Sequence, residues 1–435
     1  MNNYNIMKYP SAIVVLIFLV YYCLYDLTSV QCAIPSQVSN LIVLLAMILA
    51  TAIGLCYNSS RLLSGLAKYW LPFFFVLVVN IVQYDFEKSY VFLFAAFLTI
   101  LSSRIPLFTY EKVIKWIKIL GILGAIGVAI QLFLPSIHKT IISIIFSGEG
   151  LRYIFSYADR GYYSGFFHQV GDTAYYVAAA IIAMIFRMDK NRKNYIILAL
   201  MFLSLILLGK RSILLFLFFA LLLTYMLNGS NSKIISRLTV VTFSLICFFF
   251  IMSTLISMYG DIKLFEKMSY TLAYLGSGDI DGLMEESGRL NLRELALDLF
   301  EKNQIIGIGW SNFSKISGEL YASGVGTSVH NIYLQLLCET GIIGLSAFII
   351  GVVASLLATL KTRHTLRNRG IGADSNLGKF WSISFTGQVL FLTLGFVENP
   401  LYNANCLLFY MLVILMNVAI KHHLKNSLNV VLTNK

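Results

Sequence analysis

The residues of this chain best suited to chemistry are a few cations and one histidine, and they fall in two places. The stretch 287–344 contains Ser287-Gly288-Arg289, Arg293, Gly307-Ile308-Gly309-Trp310, His330-Asn331-Ile332-Tyr333-Leu334 and Glu339-Thr340-Gly341-Ile342-Ile343-Gly344. It is polar and rich in glycine where most of the chain is apolar. The second place is the break Leu208-Gly209-Lys210-Arg211-Ser212 between two apolar runs. Guanidinium groups bind phosphate in bidentate fashion, and a helix N-terminus favours anions through its free N–H groups and dipole. An imidazole with an ordinary pKa of about 6.5 suits a general base. The chemistry these residue types offer is therefore anion binding combined with removal of a proton.

Each feature has a plainer reading beside it. Ser287 to Asn303 reads as an amphipathic helix with Ser287 as N-cap. Leu290, Leu295, Leu297 and Phe300 supply its apolar positions, and Arg289 falls in its first turn. Arg289 and Arg293, four apart, share a face. Spacing alone favours surface charges paired with Glu294, Asp298 or Glu285 over an anion site. Lys210 and Arg211 either snorkel to lipid phosphates or hold an anionic substrate. His330 follows Ser328, a candidate N-cap, opens a helical segment over Asn331–Cys338, and is followed by Glu339. His168, near Asp172, is a second candidate. Arg160, Arg293 and Lys210 are candidate substrate contacts, whereas His138, His364, His422 and His423 read as peripheral. There is no Walker loop, no HExxH and no GxSxG, and Asp279-Ile280-Asp281 is a weak match to a sugar-nucleotide site. Neither a metal nor any other cofactor is expected.

The elements that must position these residues are membrane helices. Of 435 residues, 58% are hydrophobic and 12% charged, against roughly 25% charged in a soluble domain. Twelve apolar runs read as spans at 11–28, 38–57, 68–84, 89–107, 113–134, 168–187, 194–209, 211–228, 237–258, 341–360, 380–397 and 402–420. The expectation is an all-α polytopic protein in three parts: helices over 1–258, a large polar loop over 259–340, and helices with a tail over 341–435. Alternate loops collect 21 of the 33 basic residues but three of the 21 acidic ones. The positive-inside rule places those loops and both termini in the cytoplasm. The large loop, Lys210-Arg211 and a second polar segment at 135–167, within which Ile141–Phe146 could lie flat at the interface, are then outside. The net charge of +12 is spread over short clusters between apolar runs, so nucleic acid is not expected as a partner. The six cysteines form no CxxC pair, and only a Cys32–Cys338 bridge could be drawn.

In this order, Lys210-Arg211-Ser212, Ser287-Gly288-Arg289, Ile306-Gly307-Ile308-Gly309-Trp310-Ser311-Asn312-Phe313, His330-Asn331-Ile332-Tyr333-Leu334 and Glu339-Thr340-Gly341-Ile342-Ile343-Gly344 resemble the O-antigen ligase and O-antigen polymerase superfamily. The resemblance covers about 150–345 in motifs. It departs from the family at Leu290-Asn291-Leu292-Arg293, where an aromatic residue is frequent. The resemblance implies a GT-C-type, metal-independent inverting glycosyltransferase of the bacterial inner membrane with a large helical periplasmic loop. Its donor would be an oligosaccharide on undecaprenyl pyrophosphate, with a chain-length regulator protein and membrane lipid as partners. Arg211 and Arg289 would bind the pyrophosphate and His330 would activate the acceptor hydroxyl. The leading expectation is a polymerase of O-antigen- or capsule-type repeat units. The alternatives are a ligase that transfers glycan to lipid A–core and, from another class, a lipid-linked oligosaccharide flippase. The large outer loop and the lack of two similar halves weigh against the flippase.

Overall fold

A computed structural model describes residues 66–83, 107–146, 148–189, 191–229, 234–259, 289–320 and 327–433. Among the described residues the chain is all helical. The helices are α1 (Ala67–Gln83), α2 (Leu107–Phe133), α3 (Pro135–Ile145), α4 (Gly148–Asp159), α5 (Val170–Arg187), α6 (Arg192–Leu207) and α7 (Arg211–Asn228). They continue with α8 (Ile234–Tyr259), α9 (Leu290–Lys302), α10 (Asn312–Leu320), α11 (Ile332–Asn368), α12 (Asn376–Leu394) and α13 (Ala404–Thr433). Five are long and apolar enough to cross a membrane: Tyr110–Phe133, Val170–Arg187, Arg211–Asn228, Ile332–Asn368 and Asn405–Lys425. Nine of the expected spans fall on described helices. The spans 11–28 and 38–57, and 89–107 up to its last residue, lie outside the described residues. So do Cys23, Cys32, Cys56, Ser287 and the Asp279–Asp281 pair, and with Cys32 the bridge to Cys338, whose thiol is free and buried.

Helices that share a lipid solvent gain little from burying apolar surface against each other, so close backbone approach and interhelical hydrogen bonds hold them together. Gly121, Gly124 and Gly127 form such a stripe on α2. A Cβ at Gly121 would meet Ala180 Cβ at 2.2 Å, and one at Gly127 would meet Phe166 N at 2.7 Å. Helix α12 is buried along nearly its whole length and packs on α5, α7, α11 and α13. Its polar side chains are paired across those contacts. Thr386 meets Thr224 at 2.7 Å, Gln388 Nε2 donates to Thr359 Oγ1 at 2.9 Å, and Trp381 Nε1 donates to the Thr359 carbonyl at 2.8 Å.

The two ends of the bundle differ in chemistry. At one end Arg187 pairs with Glu111 at 3.2 Å and lies over Phe380, while Arg363 donates to the Asn228 carbonyl at 2.6 Å and covers Trp381. Lys118 donates to the Arg187 carbonyl at 2.6 Å. These are members of the basic set that alternation assigned to one side. The other end carries α3, α4, α9, α10 and the short segment 395–403.

Helix α11 is two helical stretches that meet in a kink at the expected boundary 340/341, because Gly341 takes the non-helical φ 65°, ψ −170°. A Cβ at Gly341 would lie 2.2 Å from the Ile305 carbonyl oxygen, and one at Gly307 would lie 2.3 Å from the Glu339 carbonyl carbon. The segment 303–311 thus lies directly on the bend. Its Ile308 and Gly309 amides donate to the Cys338 and Glu339 carbonyls at 3.0 and 2.9 Å, and Ile342 N donates to Gln304 O at 2.9 Å.

Candidate active site

The amino end of α11 fixes His330. Asn331 is the N-cap, and its side chain accepts from the amides of Tyr333 and Leu334, both at 3.0 Å. The cap is therefore Asn331 and not Ser328, and His330 stands outside the helix. His330 itself sits in the left-handed region at φ 58°, a conformation uncommon for a non-glycine residue and held by its surroundings. One such restraint is Ile332 N, which donates to the Gly395 carbonyl at 2.8 Å. The start of α11 and the end of α12 are thereby tied together.

That tie brings His330 to Glu398. Glu398 stands in Phe396-Val397-Glu398-Asn399-Pro400, and its amide donates to Leu394 O at 2.8 Å. Its Oε2 is 3.5 Å from His330 Nδ1, and its Oε1 is 3.1 Å from Lys210 Nζ. At 3.5 Å the His330 contact is electrostatic rather than a well-formed hydrogen bond. Arg289 Nη1 donates to the Val397 carbonyl at 3.1 Å, next to the same carboxylate. Burial pushes the Glu398 carboxyl up, but Lys210, His330 and Arg289 outweigh it and hold the group at about 2. It is an anion at any physiological pH.

The structure thus brings together three of the expected residues, His330, Arg289 and Lys210. It adds Arg211 through the chain, as the first residue of α7 beside the N-cap Lys210. Lys210 is paired with Glu398 and its side chain is 31% exposed. Arg289 is the N-cap of α9 rather than a first-turn residue, and makes no side-chain cap bond. The core face of α9 is Leu292 and Ala296 with Leu295 and Leu299, whereas Leu297 is exposed. Arg293 is on the exposed side of α9. Arg160 and His168 lie apart, on the segment joining α4 to α5. Arg160 donates to Ser156 Oγ at 3.1 Å and lies over Tyr157, and His168 is buried and stacked on Tyr153.

Glu339 is not the acid that faces His330. It is fully buried, and its carboxylate accepts from Ser311 N at 2.9 Å, Tyr402 Oη at 2.5 Å and Gln335 Nε2 at 3.1 Å. Gln335 Oε1 in turn accepts from Asn399 Nδ2. The network joins the segment 303–311, helix α11 and the segment that carries Glu398. Trp310 closes it, stacked on Tyr402 at 4.3 Å with its amide donating to Asn80 Oδ1 at 3.0 Å.

Glu398 is the residue that sequence reasoning missed. It is the only charged residue between Gly395 and Asn403, and an acid kept at a span end is a pointer to function.

The class defined so far is an all-helical membrane protein with a cluster of cations, one histidine and one carboxylate at one end. Comparison with protein families adds a likeness: residues 196–349, about a third of the chain, match the family described as O-antigen ligase. A comparison with curated proteins finds no match. The matched segment contains Lys210, Arg211, Arg289 and His330 but neither Glu398 nor any residue of α3 to α5.

Proposed function

We propose that this protein is a polymerase of O-antigen- or capsule-type repeat units. In this reading it moves a growing glycan from undecaprenyl pyrophosphate onto a lipid-linked acceptor at the outer face of the inner membrane, both termini being cytoplasmic. The observation that carries it is the grouping of His330 and Arg289 around Glu398, on the family's motif residues. The fold would be of the GT-C type with twelve spans, and the chemistry independent of metal.

In the reaction the acceptor oxygen attacks the anomeric carbon on the face opposite the pyrophosphate. The bond from that carbon to the pyrophosphate oxygen breaks, the leaving group takes the electron pair, and the anomeric centre inverts. Arg211 and Arg289 stabilise the charge that develops on the pyrophosphate. His330 takes the acceptor proton. With Glu398 facing Nδ1, the ring's other nitrogen, Nε2, is the proton acceptor, and the carboxylate stabilises the imidazolium as it forms. Pairing with Glu398 removes Lys210 as a competing charge and spends it on placing that carboxylate.

The second reading, a ligase that transfers glycan to lipid A–core, has the description of the matched family in its favour. Purified protein in detergent, given lipid-linked oligosaccharide with and without lipid A–core, separates the two. Lengthened lipid-linked glycan supports the polymerase, and transfer to the core supports the ligase. A protein that does neither under conditions where it stays folded overturns both. No flippase could lengthen glycan in a solution without compartments.

A further inference from the structure

The same end of the bundle carries a group of rings, outside the cationic cluster, of which Tyr157 and Tyr162 pack against the core and are only partly buried by it. Tyr153 and Tyr157 on α4, and Tyr162 just after it, are half-buried. Their ring centroids are 4.4 Å apart for Tyr153–Tyr157 and 6.0 Å for Tyr157–Tyr162. His168 forms the floor, stacked on Tyr153 at 4.9 Å. Burial lowers the His168 pKa to about 4 and raises that of the Tyr153 hydroxyl, with the neighbouring Tyr157 hydroxyl adding to the effect. The Arg160 guanidinium lies over the outer ring, Tyr157, at 5.6 Å, so the face carries one cation at its edge where the cluster beside it carries several. Asp172 is buried next to it, its carboxylate accepting from Asn403 Nδ2.

This face is rigid and continuous with the candidate active site. The Gly165 amide donates to Gln131 Oε1 at 2.7 Å, the Gly165 carbonyl meets His138 Nε2 at 2.7 Å, and Thr173 Oγ1 donates to Ser164 O at 2.5 Å. The segment 160–169 is thus pinned to α2, α3 and α5. Asn403 belongs to the segment that carries Glu398, and a Cβ on Gly171 would lie 3.7 Å from Lys210 Cε.

We propose that the Tyr153–Tyr157–Tyr162 face is a carbohydrate subsite that holds a pyranose ring of the glycan, away from the bond being made. A pyranose presents a C–H face to an aromatic ring and a rim of hydroxyls to tyrosine hydroxyls, carboxylates and amides. A pyrophosphate would seek the denser group of Lys210, Arg211 and Arg289 rather than the single Arg160 here, and a polyprenyl chain has no use for hydroxyls beside a buried acid. Because the subsite is fixed in advance, binding there orders little. Tyrosines of a membrane interface belt also sit half-exposed, but such a belt does not require rings tilted against one another with one of them stacked on a buried histidine. The subsite rests on the glycan-transfer reading above and extends it to residues outside the family match.

The test uses the full-length protein in detergent and, as probe, the free repeat-unit oligosaccharide without lipid or pyrophosphate, followed by saturation-transfer NMR. Tyr153→Leu with Tyr157→Leu removes the rings, and Tyr153→Phe with Tyr157→Phe keeps them. The wild type and the Phe pair are expected to transfer saturation to sugar protons. The Leu pair is expected to weaken probe binding about tenfold or more and to raise KM for lipid-linked glycan likewise, with kcat within about threefold. Melting temperatures of both pairs near wild type exclude unfolding as the cause. A KM change confined to donor or to acceptor says whose sugar is held. The proposal is overturned if the wild type does not bind the probe, or if the Leu pair binds it as the wild type does, as a lipid-facing belt predicts. If the Leu pair alone loses the probe while no form transfers glycan, the subsite stands and the transferase reading falls.

Discussion

Replacing Glu398 by Gln keeps the size of the side chain and removes its charge, so it isolates what the carboxylate does. At 3.1 Å from Lys210 and 3.5 Å from His330, each unit-charge interaction is worth about 5 kcal/mol before desolvation at an effective dielectric constant of about 20. The side chains of Lys210, His330 and Glu398 are 31%, 34% and 21% exposed, so solvent screening reduces the net value to about 1–2 kcal/mol per pair. Loss of the His330 pair acts only when the imidazole becomes charged, which is during proton transfer. Glu398→Gln should therefore lower kcat about 5- to 30-fold. KM for the pyrophosphate donor should stay level or fall, because the site gains a net positive charge. Glu398→Asp, shorter by one methylene, cannot span both partners and should lie between. The assay is initial-rate elongation of lipid-linked oligosaccharide by protein in detergent, with membrane content checked by immunoblot. Wild-type kcat in Glu398→Gln, or a loss carried entirely by KM, would refute the role of the carboxylate in proton transfer.

Arg289→Ala should abolish glycan transfer with the protein still in the membrane, and Arg289→Lys should recover little, because an ammonium cannot bind pyrophosphate in bidentate fashion; full activity of Arg289→Lys in the same assay would remove that contact. Gly341→Ala should cost about 3 kcal/mol or more, since the added Cβ meets the Ile305 carbonyl in a backbone region closed to other residues, and this should register as a melting temperature several degrees lower. His168 predicts an acid-side loss of stability. Its folded pKa of about 4 lies below the ordinary 6.5, so the unfolded chain binds the extra proton first as pH falls. Between pH 7.5 and 5 this removes about 2 kcal/mol, seen as a falling melting temperature that His168→Phe flattens.

Most of the helix positions were legible because lipid leaves the backbone no partner but itself, so length and apolarity suffice to find a span. The run 211–228 matches α7 residue for residue. Caps were harder. Ser328 has the right chemistry, but Asn331 takes the cap because the chain turns through His330 at φ 58° immediately before the helix. Arg289 and His330 were legible as motif residues, but their partner was not. Glu339, nine residues from His330, looks like the neighbouring acid, yet the bend at Gly341 turns it inward to Ser311, Tyr402 and Gln335. Glu398 is 68 residues from His330, and proximity across that gap comes from the packing of α11 against α12. No spacing in the sequence encodes it.

The position of Glu398 along the chain has a consequence for how the protein is made. Lys210, Arg211, Arg289 and His330 are all synthesised before α12, while the carboxylate that pairs Lys210 and His330 follows it. During insertion the cations therefore spend time at the membrane surface without their counter-charge, and Asn403, which caps α13 and holds Asp172, arrives later still. A nascent chain stalled before α12 would carry the whole matched segment and still lack Glu398. The carboxylate that pairs Lys210 and His330 is thus held between the last two helices, and the cluster is complete only once they have packed.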